Sequence, residues 1–186
     1  MTWTSFHRRG EVLRTVVDEV DARRDGMVPM DLPGVAETFR DELDLIAALS
    51  LRWHARLSGN VERALMGEPL DLGSAVALAW HQTCAELPGI RLLLDRCTDH
   101  PADAAMGAAL AHAREKEWAG LAIAAGLASD GGAAAAAAGR RLVEDPARRG
   151  PDTPSQSQAA RREPAATVDE PPTPSLVDRI RAVLAA

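Results

Sequence analysis

The chain has 186 residues, and 46% of them are hydrophobic, so it is long and apolar enough to bury the core of one ordinary domain. Aromatic residues make up only 3% and tyrosine is absent, so Leu, Val and Ala must build the core, which favours closely packed helices over sheets. The formal net charge is −6, and residues 1–144 hold 15 basic against 21 acidic side chains. This acidic balance excludes general nucleic-acid binding, which needs a basic face to neutralise phosphates.

Apolar residues at helical spacing predict a series of helices in the first 144 residues. The predicted helices cover about 5–24, 34–58, 71–87, 101–129 and 133–143, with a short helix over 90–96. Asp71 is the predicted N-cap of its helix, because an aspartate can accept a hydrogen bond from the first turn. Gly59-Asn60 predicts a break or kink, after which a further turn or two reaches Met66. The six alanines of 133–138 predict a helix packed tightly against a neighbour.

Two of the predicted helices repeat one template, since Trp53-His54 and Trp80-His81 lie 27 residues apart in matched contexts. On a helical wheel each tryptophan falls in the apolar stripe of its helix, which predicts two core anchors. Each histidine lies about 100° from its tryptophan, at the edge of the stripe. We therefore expect His54 and His81 to be partly solvated boundary residues, which face each other if the two helices pack together.

A second pattern with chemical potential is His81-x-x-Cys84, followed by Cys97-x-x-His100. Thiolates and imidazoles in pairs two residues apart are typical of structural zinc sites, and zinc is the one cofactor that the sequence suggests. If the short helix folds back on the preceding one, however, Cys84 and His100 lie roughly 10 Å apart along the axis, too far for ligands of one ion. The alternative is that both cysteines are free thiols, as expected in a reducing cytosol.

Motifs for catalysis and nucleotide binding are missing from the sequence, which has no Gly-x-Ser-x-Gly, no Gly-x-x-x-x-Gly-Lys and no dinucleotide fingerprint. An enzyme that uses His54 or His81 as a general base is a third alternative, although no carboxylate lies one turn from either histidine. Charged and polar residues, rather than an apolar run, follow Arg8-Arg9, and 119–139 is too weakly apolar to span a bilayer. We expect a cytoplasmic protein that does not enter the membrane.

Composition changes after Glu144, where the predicted helical domain ends. Seven of the 12 prolines lie in 145–186, and apolar residues larger than alanine almost vanish until Leu176. Residues 145–174 are predicted to be a disordered linker, because they have too little to bury to offset their ordering entropy. Residues 175–186 are predicted to form an amphipathic helix, whose apolar face consists of Leu176, Val177, Ile180, Val183 and Leu184.

The sequence thus predicts an all-α protein, with a bundle of four to five helices over 1–144, a Pro/Ala/Arg-rich linker over 145–174 and a docking helix over 175–186. A helix this short needs a partner surface, so it can act as an intramolecular clasp, as a ligand for a protein partner, or in self-association. The leading hypothesis is a non-enzymatic, adaptor-like interaction or regulatory protein that docks through this helix. The alternative is a ligand- or metal-binding bundle with a site built from His54, His81, Cys84, Cys97 and His100.

Overall fold

The computed structural model describes the backbone of residues 3–148 and the side chains of residues 8–148, and no strand occurs within this part of the chain. Its seven α-helices are α1 (Trp3–Arg23), α2 (Val35–Thr38), α3 (Glu42–Met66), α4 (Leu72–Glu86), α5 (Pro88–Asp99), α6 (Ala104–Ala124) and α7 (Ala133–Glu144). A single 3₁₀ turn, Pro146–Arg148, follows α7. The predicted all-α class is confirmed for these residues. None of the described helices is long and apolar enough to cross a membrane.

The predicted docking helix over 175–186 and most of the predicted linker lie outside the described residues. The same holds for every side chain of the predicted partner-binding face, which comprises Leu176, Val177, Ile180, Val183 and Leu184. These parts of the sequence interpretation stay predictions.

Aspartates begin three of the long helices. Asp41, Asp71 and Asp103 each accept a hydrogen bond from the backbone N–H three residues on, at 2.8, 3.0 and 2.8 Å. The N-cap role predicted for Asp71 is therefore confirmed. The helix predicted to reach residue 129 ends at 124 instead, because Gly126 takes a left-handed φ of +69° that closes the helix.

The helix α3 runs through Gly59-Asn60 without interruption, so the break predicted there is wrong. Asn60 is buried, and its side-chain amide donates to Thr83 Oγ1 at 2.9 Å and to Glu86 Oε2 at 3.0 Å, both on α4. These bonds satisfy the polar group inside the helix interface and outweigh the low helix propensity of glycine and asparagine. The result is a continuous helix of 25 residues, which carries both Trp53-His54 and the contacts to α4.

The buried apolar side chains form two larger clusters and a small alanine cluster. The first joins α1, the α2 segment, α3, α5 and α6, and includes Val16, Val35, Phe39, Ile46, Leu49, Trp53, Ile90, Leu93, Met106 and Leu110. The second joins α3, α4, α6 and α7 through Leu57, Val76, Ala77, Leu121, Leu142 and Val143. In the third, Ala135 and Ala136 of α7 pack on Ala119 and Ala122 of α6. The tight packing predicted for the alanine run is confirmed.

Candidate functional site

The tryptophans of the two Trp-His pairs bind one carboxylate, that of Glu117 in α6. Trp53 of α3 donates its indole N–H to Glu117 Oε2 at 2.7 Å, and Trp80 of α4 donates its own to Glu117 Oε1 at 3.1 Å. The side chain of Glu117 is only 4% exposed. Trp53 is fully buried, as predicted for a core anchor, and Trp80 is half-buried. The tryptophans therefore anchor their helices by a polar bond as well as by apolar packing.

Arg91 of α5 balances the charge of Glu117. Its Nη1 lies 3.3 Å from Glu117 Oε1, and its guanidinium carbon lies 5.0 Å from the centroid of the Trp53 ring. The same guanidinium donates two further hydrogen bonds to Asp95, one turn along α5. Burial alone favours the neutral form of Arg91, but the carboxylates of Asp95 and Glu117 outweigh it and raise the pKa of this guanidinium. Glu117 is thus part of a buried ion pair on which α3, α4, α5 and α6 converge.

His54 completes the cluster on its solvent side, with 36% of its side chain exposed, as predicted for a boundary residue. Its Nε2 lies 3.4 Å from Glu117 Oε2, and its Nδ1 lies 2.7 Å from the carbonyl oxygen of Ser50, one turn back in α3. A carbonyl oxygen only accepts hydrogen bonds, so Nδ1 carries a hydrogen, while Nε2 faces the carboxylate. Each ring nitrogen therefore lies near an oxygen of the protein. The fold brings to His54 a carboxylate that the sequence does not place one turn away.

Four nitrogens of the protein surround the carboxylate of Glu117. Its two oxygens offer about four lone-pair directions, and the nitrogens of Trp53, Trp80, Arg91 and His54 approach them at 2.7, 3.1, 3.3 and 3.4 Å. Hydrogen bonds in such a buried network are stronger than in water, so the cluster is suited to holding helices together.

An open groove of about 540 Å³ lies beside this cluster, between the second half of α3 and α6. Its lining residues run from His54 to Glu62 along α3 and from Ala113 to Ala124 along α6. The apolar side chains that line it are Leu57, Val61, Leu121 and the small residues Ala113 and Ala124. The polar residues at its rim are Ser58, Glu62 and Lys116, the only lysine of the chain. This groove is a large apolar concavity with few polar groups, which is the usual character of a binding surface.

His81 lies inside the helix assembly rather than at its boundary, so its predicted partial solvation is wrong. Only 6% of the residue is exposed, and its ring meets that of Trp80 edge-on, with the two centroids 5.0 Å apart. The reason is that α4 is covered on several sides, by α3, α6 and α7, so buried residues occur around most of its circumference. His81 does not line the groove, and His54 does.

The other predicted zinc ligands occupy different environments. Cys84 is half-buried, and burial raises the pKa of its thiol to about 12. Cys97 is buried in α5, where burial also raises its thiol pKa, and His100 is exposed at the C-cap of α5. Among the described side chains of residues 8–148, no three His, Cys, Asp or Glu side chains are grouped so that they could hold a metal ion. The zinc site of His81, Cys84, Cys97 and His100 stays a prediction.

The sequence interpretation missed Glu117 and Arg91, although the sequence contains a signal for both. Glu117 stands on the apolar stripe of α6, between Leu110 and Leu121, and Arg91 follows Leu87 by four residues on the corresponding stripe of α5. A charge on an apolar stripe is buried, and a buried charge needs a partner. Two such charges of opposite sign predict a pair, and the two indole N–H groups need an acceptor of the kind that this pair supplies.

Comparison of the chain with protein-family models, with curated proteins and with solved structures found no significant match. By its fold and its central cluster, the described part of the chain is an all-α domain built around a buried, charge-paired carboxylate. Its function must therefore be inferred from the contacts among its own described residues.

Proposed function

We propose that this chain is a non-enzymatic, adaptor-like interaction protein that docks on a protein partner through residues 175–186. The observation that carries the proposal is the structural role of Glu117, whose two oxygens are approached by four nitrogens of the protein. Because this buried cluster holds four helices together, we assign the function of the chain to its surfaces.

Residues 175–186 supply the docking surface in this proposal. Their sequence puts five aliphatic side chains on one face of a helix and directs Asp178, Arg179 and Arg181 elsewhere. An isolated helix of this length is marginal in water, so it becomes stable only against another surface. Amphipathic helices that lie in apolar grooves are a recurring mode of partner recognition. The proline-rich residues 149–174 serve as the tether of the docking helix.

The test compares the full native chain with two variants, Ile180→Asp and Ala182→Asp. Both add one negative charge to the segment, but only Ile180→Asp adds it to the apolar face. Proteins that the native chain retains from an extract of its source cells are identified, and the affinity of the purified partner for each chain is then measured by calorimetry. We expect Ile180→Asp to weaken binding at least about tenfold, because a carboxylate in an apolar contact costs more than about 1.4 kcal/mol.

Ala182→Asp is the matched control, and we expect it to bind the partner as the native chain does. Equal affinity of the partner for all three chains would show that it binds elsewhere and would contradict docking through residues 175–186. If the native chain binds none of the proteins retained from the extract once they are purified, the proposed function itself is wrong.

A further inference from the structure

The helices α3 and α6, which form the walls of the groove, run in the same direction. The first apolar cluster contains Leu49 and Leu110, which belong to the first halves of these helices. The second cluster contains Leu57 and Leu121, which belong to their second halves. The residues that line the groove therefore follow one another in the same direction along both walls.

Charges of opposite sign stand at the two ends of this groove. Lys116 directly precedes Glu117, whose Oε2 lies 3.4 Å from His54 Nε2, so Lys116 stands at the His54 end. Glu62 lies eight residues beyond His54, about 12 Å further along the axis of α3. Lys116 and Glu62 are both exposed, and neither forms an ion pair with another side chain of residues 8–148. An ammonium group and a carboxylate therefore mark opposite ends of one groove.

Between these two charges the groove is apolar and roomy. Its volume of about 540 Å³ falls within the range of roughly 300–1,000 Å³ that is usual for sites of small ligands. Leu57, Val61 and Leu121 supply its larger apolar side chains. Gly120 is exposed, and a Cβ added there would meet nothing within 4 Å, so the α6 wall leaves space between Lys116 and Ala124. Apolar groups of a ligand would be removed from water here, which favours binding.

A ligand that complements this groove has an apolar body and carries opposite charges at its two ends, about 12 Å apart. A short apolar peptide with free termini has this pattern, because it ends in an ammonium group and a carboxylate. An extended chain spans about 3.3–3.6 Å per residue, so about three to four residues reach from one charge to the other. Alternate side chains of an extended peptide point to the same side, so the first and third would face the apolar floor. The peptide backbone would keep its contact with water, since the groove is open.

We infer that the groove between α3 and α6 binds an extended apolar peptide of about three to four residues. The carboxylate of the peptide pairs with Lys116 and its ammonium group pairs with Glu62. These charges also fix the direction of the peptide, because the reverse direction would bring like charges together at both ends. The inference goes beyond the proposed function and uses no residue of the segment 175–186.

The test uses the peptide Leu-Ala-Leu-Ala as its probe. Calorimetry at low salt measures the binding of this peptide, with free termini, to the full chain, and we expect one site with a Kd below about 1 mM. Two matched probes each lack one charge, because one is acetylated at its N-terminus and the other is amidated at its C-terminus. Each should bind about threefold to fivefold more weakly than the free peptide, which corresponds to the loss of one exposed ion pair.

Two variants assign each terminus of the peptide to its residue. Lys116→Gln should weaken binding of the free peptide about threefold to fivefold, and amidation should then cause no further loss. Glu62→Gln should have the same effect, and in that variant acetylation should cause no further loss. The matched controls are Arg52→Gln and Glu115→Gln, which remove exposed charges of the same two helices outside the groove. Both controls should bind the free peptide as the native chain does.

A third pair of variants tests the groove itself. Gly120→Leu fills the groove and should weaken binding of the free peptide at least about tenfold. Gly59→Leu should not, because Gly59 is also an α-helical glycine whose added Cβ would meet nothing within 4 Å, but it does not line the groove. Circular dichroism checks that each variant is folded.

Four results would overturn the inference. They are no binding of Leu-Ala-Leu-Ala at about 1 mM, equal binding of the free peptide and of a peptide blocked at both termini, equal affinities of Gly120→Leu and Gly59→Leu, or the same loss on amidation in Lys116→Gln as in the native chain. None of these results bears on partner docking through residues 175–186, which Ile180→Asp tests separately.

Discussion

Trp53 and Glu117 stand 64 residues apart in the chain, and a 2.7 Å hydrogen bond joins their buried side chains. A bond to a carboxylate is charge-assisted, and the low dielectric of the interior strengthens it further. Since Trp80 and Arg91 bind the other oxygen of Glu117, this one side chain connects α6 to α3, α4 and α5. Trp53 and Trp80 therefore help to hold the helices together.

Removal of the carboxylate should destabilise the fold strongly. In Glu117→Ala, Arg91 loses a buried partner and two indole N–H groups lose their acceptor, so we expect the free energy of unfolding to fall by about 3–5 kcal/mol. Glu117→Gln keeps the size and one acceptor oxygen and should cost less. Urea titration of the full chain measures both losses. Glu115→Gln, exposed on the same helix, is the control and should change stability by no more than about 0.5 kcal/mol. Equal effects of Glu117→Gln and Glu115→Gln would contradict the structural role of Glu117.

Acid should weaken the contact between α3 and α4 through Glu86. A hydrogen bond from Arg56, whose Nε lies 2.5 Å from Glu86 Oε2, is the main cause that lowers the pKa of this carboxyl from 4.5 to about 2. Because the pKa is lower in the folded state, the contribution of Glu86 to stability is present above the unfolded pKa and is lost as the pH falls through about 2. The unfolding free energy of the native chain should therefore fall between about pH 5 and pH 2 more steeply than that of Glu86→Gln. Parallel curves for the native chain and Glu86→Gln would exclude this contribution.

The thiol of Cys84 should react slowly in the folded chain. Burial raises its pKa from 9.0 to about 12, so the fraction of reactive thiolate at pH 8 falls by about a thousandfold. In Cys97→Ala, where Cys84 is the only thiol, we expect alkylation by iodoacetamide to be at least about a hundredfold slower in buffer than in urea. Mass spectrometry over time gives both rates. Similar rates in the two conditions would mean that the thiol is not held in the environment described.

Two glycines should respond to the same substitution with opposite sign. A Cβ added to Gly139 would lie 1.9 Å from the backbone oxygen of Trp118, where α6 and α7 come closest, so Gly139→Ala should lower the unfolding free energy by about 1–3 kcal/mol or more. Gly120→Ala should raise it by about 0.5–1 kcal/mol, because its Cβ meets nothing and alanine is the better helix former. Thermal denaturation measures both changes. A change of the same sign in the two variants would contradict the close approach of α6 and α7 at Gly139.

The helices are predictable from sequence where a local signal decides them. Asp71 caps its helix as predicted, because the acceptor and the N–H that it binds lie within one turn. Asn60 is not predictable in the same way, because the groups that satisfy its amide, Thr83 and Glu86, lie on another helix, more than 20 residues away. The break predicted at Gly59-Asn60 is therefore wrong, although the residues themselves favour one.

The site is predictable only in part, for the same reason. A helical wheel places Trp53 and Trp80 on apolar stripes, but it does not show which helix covers each stripe, and Glu117 comes from a third helix. The same limit applies to His81, whose burial depends on how many helices surround α4. The helical spacing of the apolar residues predicts the amphipathic face of residues 175–186, but this spacing does not specify the partner of that face.

The coupling between Trp80 and Glu117 tests most directly whether the repeated tryptophans act through one carboxylate. The measurement is a double-mutant cycle of unfolding free energies for the native chain, Trp80→Phe, Glu117→Gln and the double variant. Trp80→Phe removes the indole N–H and keeps an aromatic ring, and a hydrogen bond to a charged group contributes about 1.5–3 kcal/mol, so the single change should cost at least about 1.5 kcal/mol. The same change should cost much less in the Glu117→Gln chain, with a coupling energy of about 1 kcal/mol or more. Additive effects, with a coupling energy within about 0.3–0.5 kcal/mol of zero, would contradict the shared carboxylate.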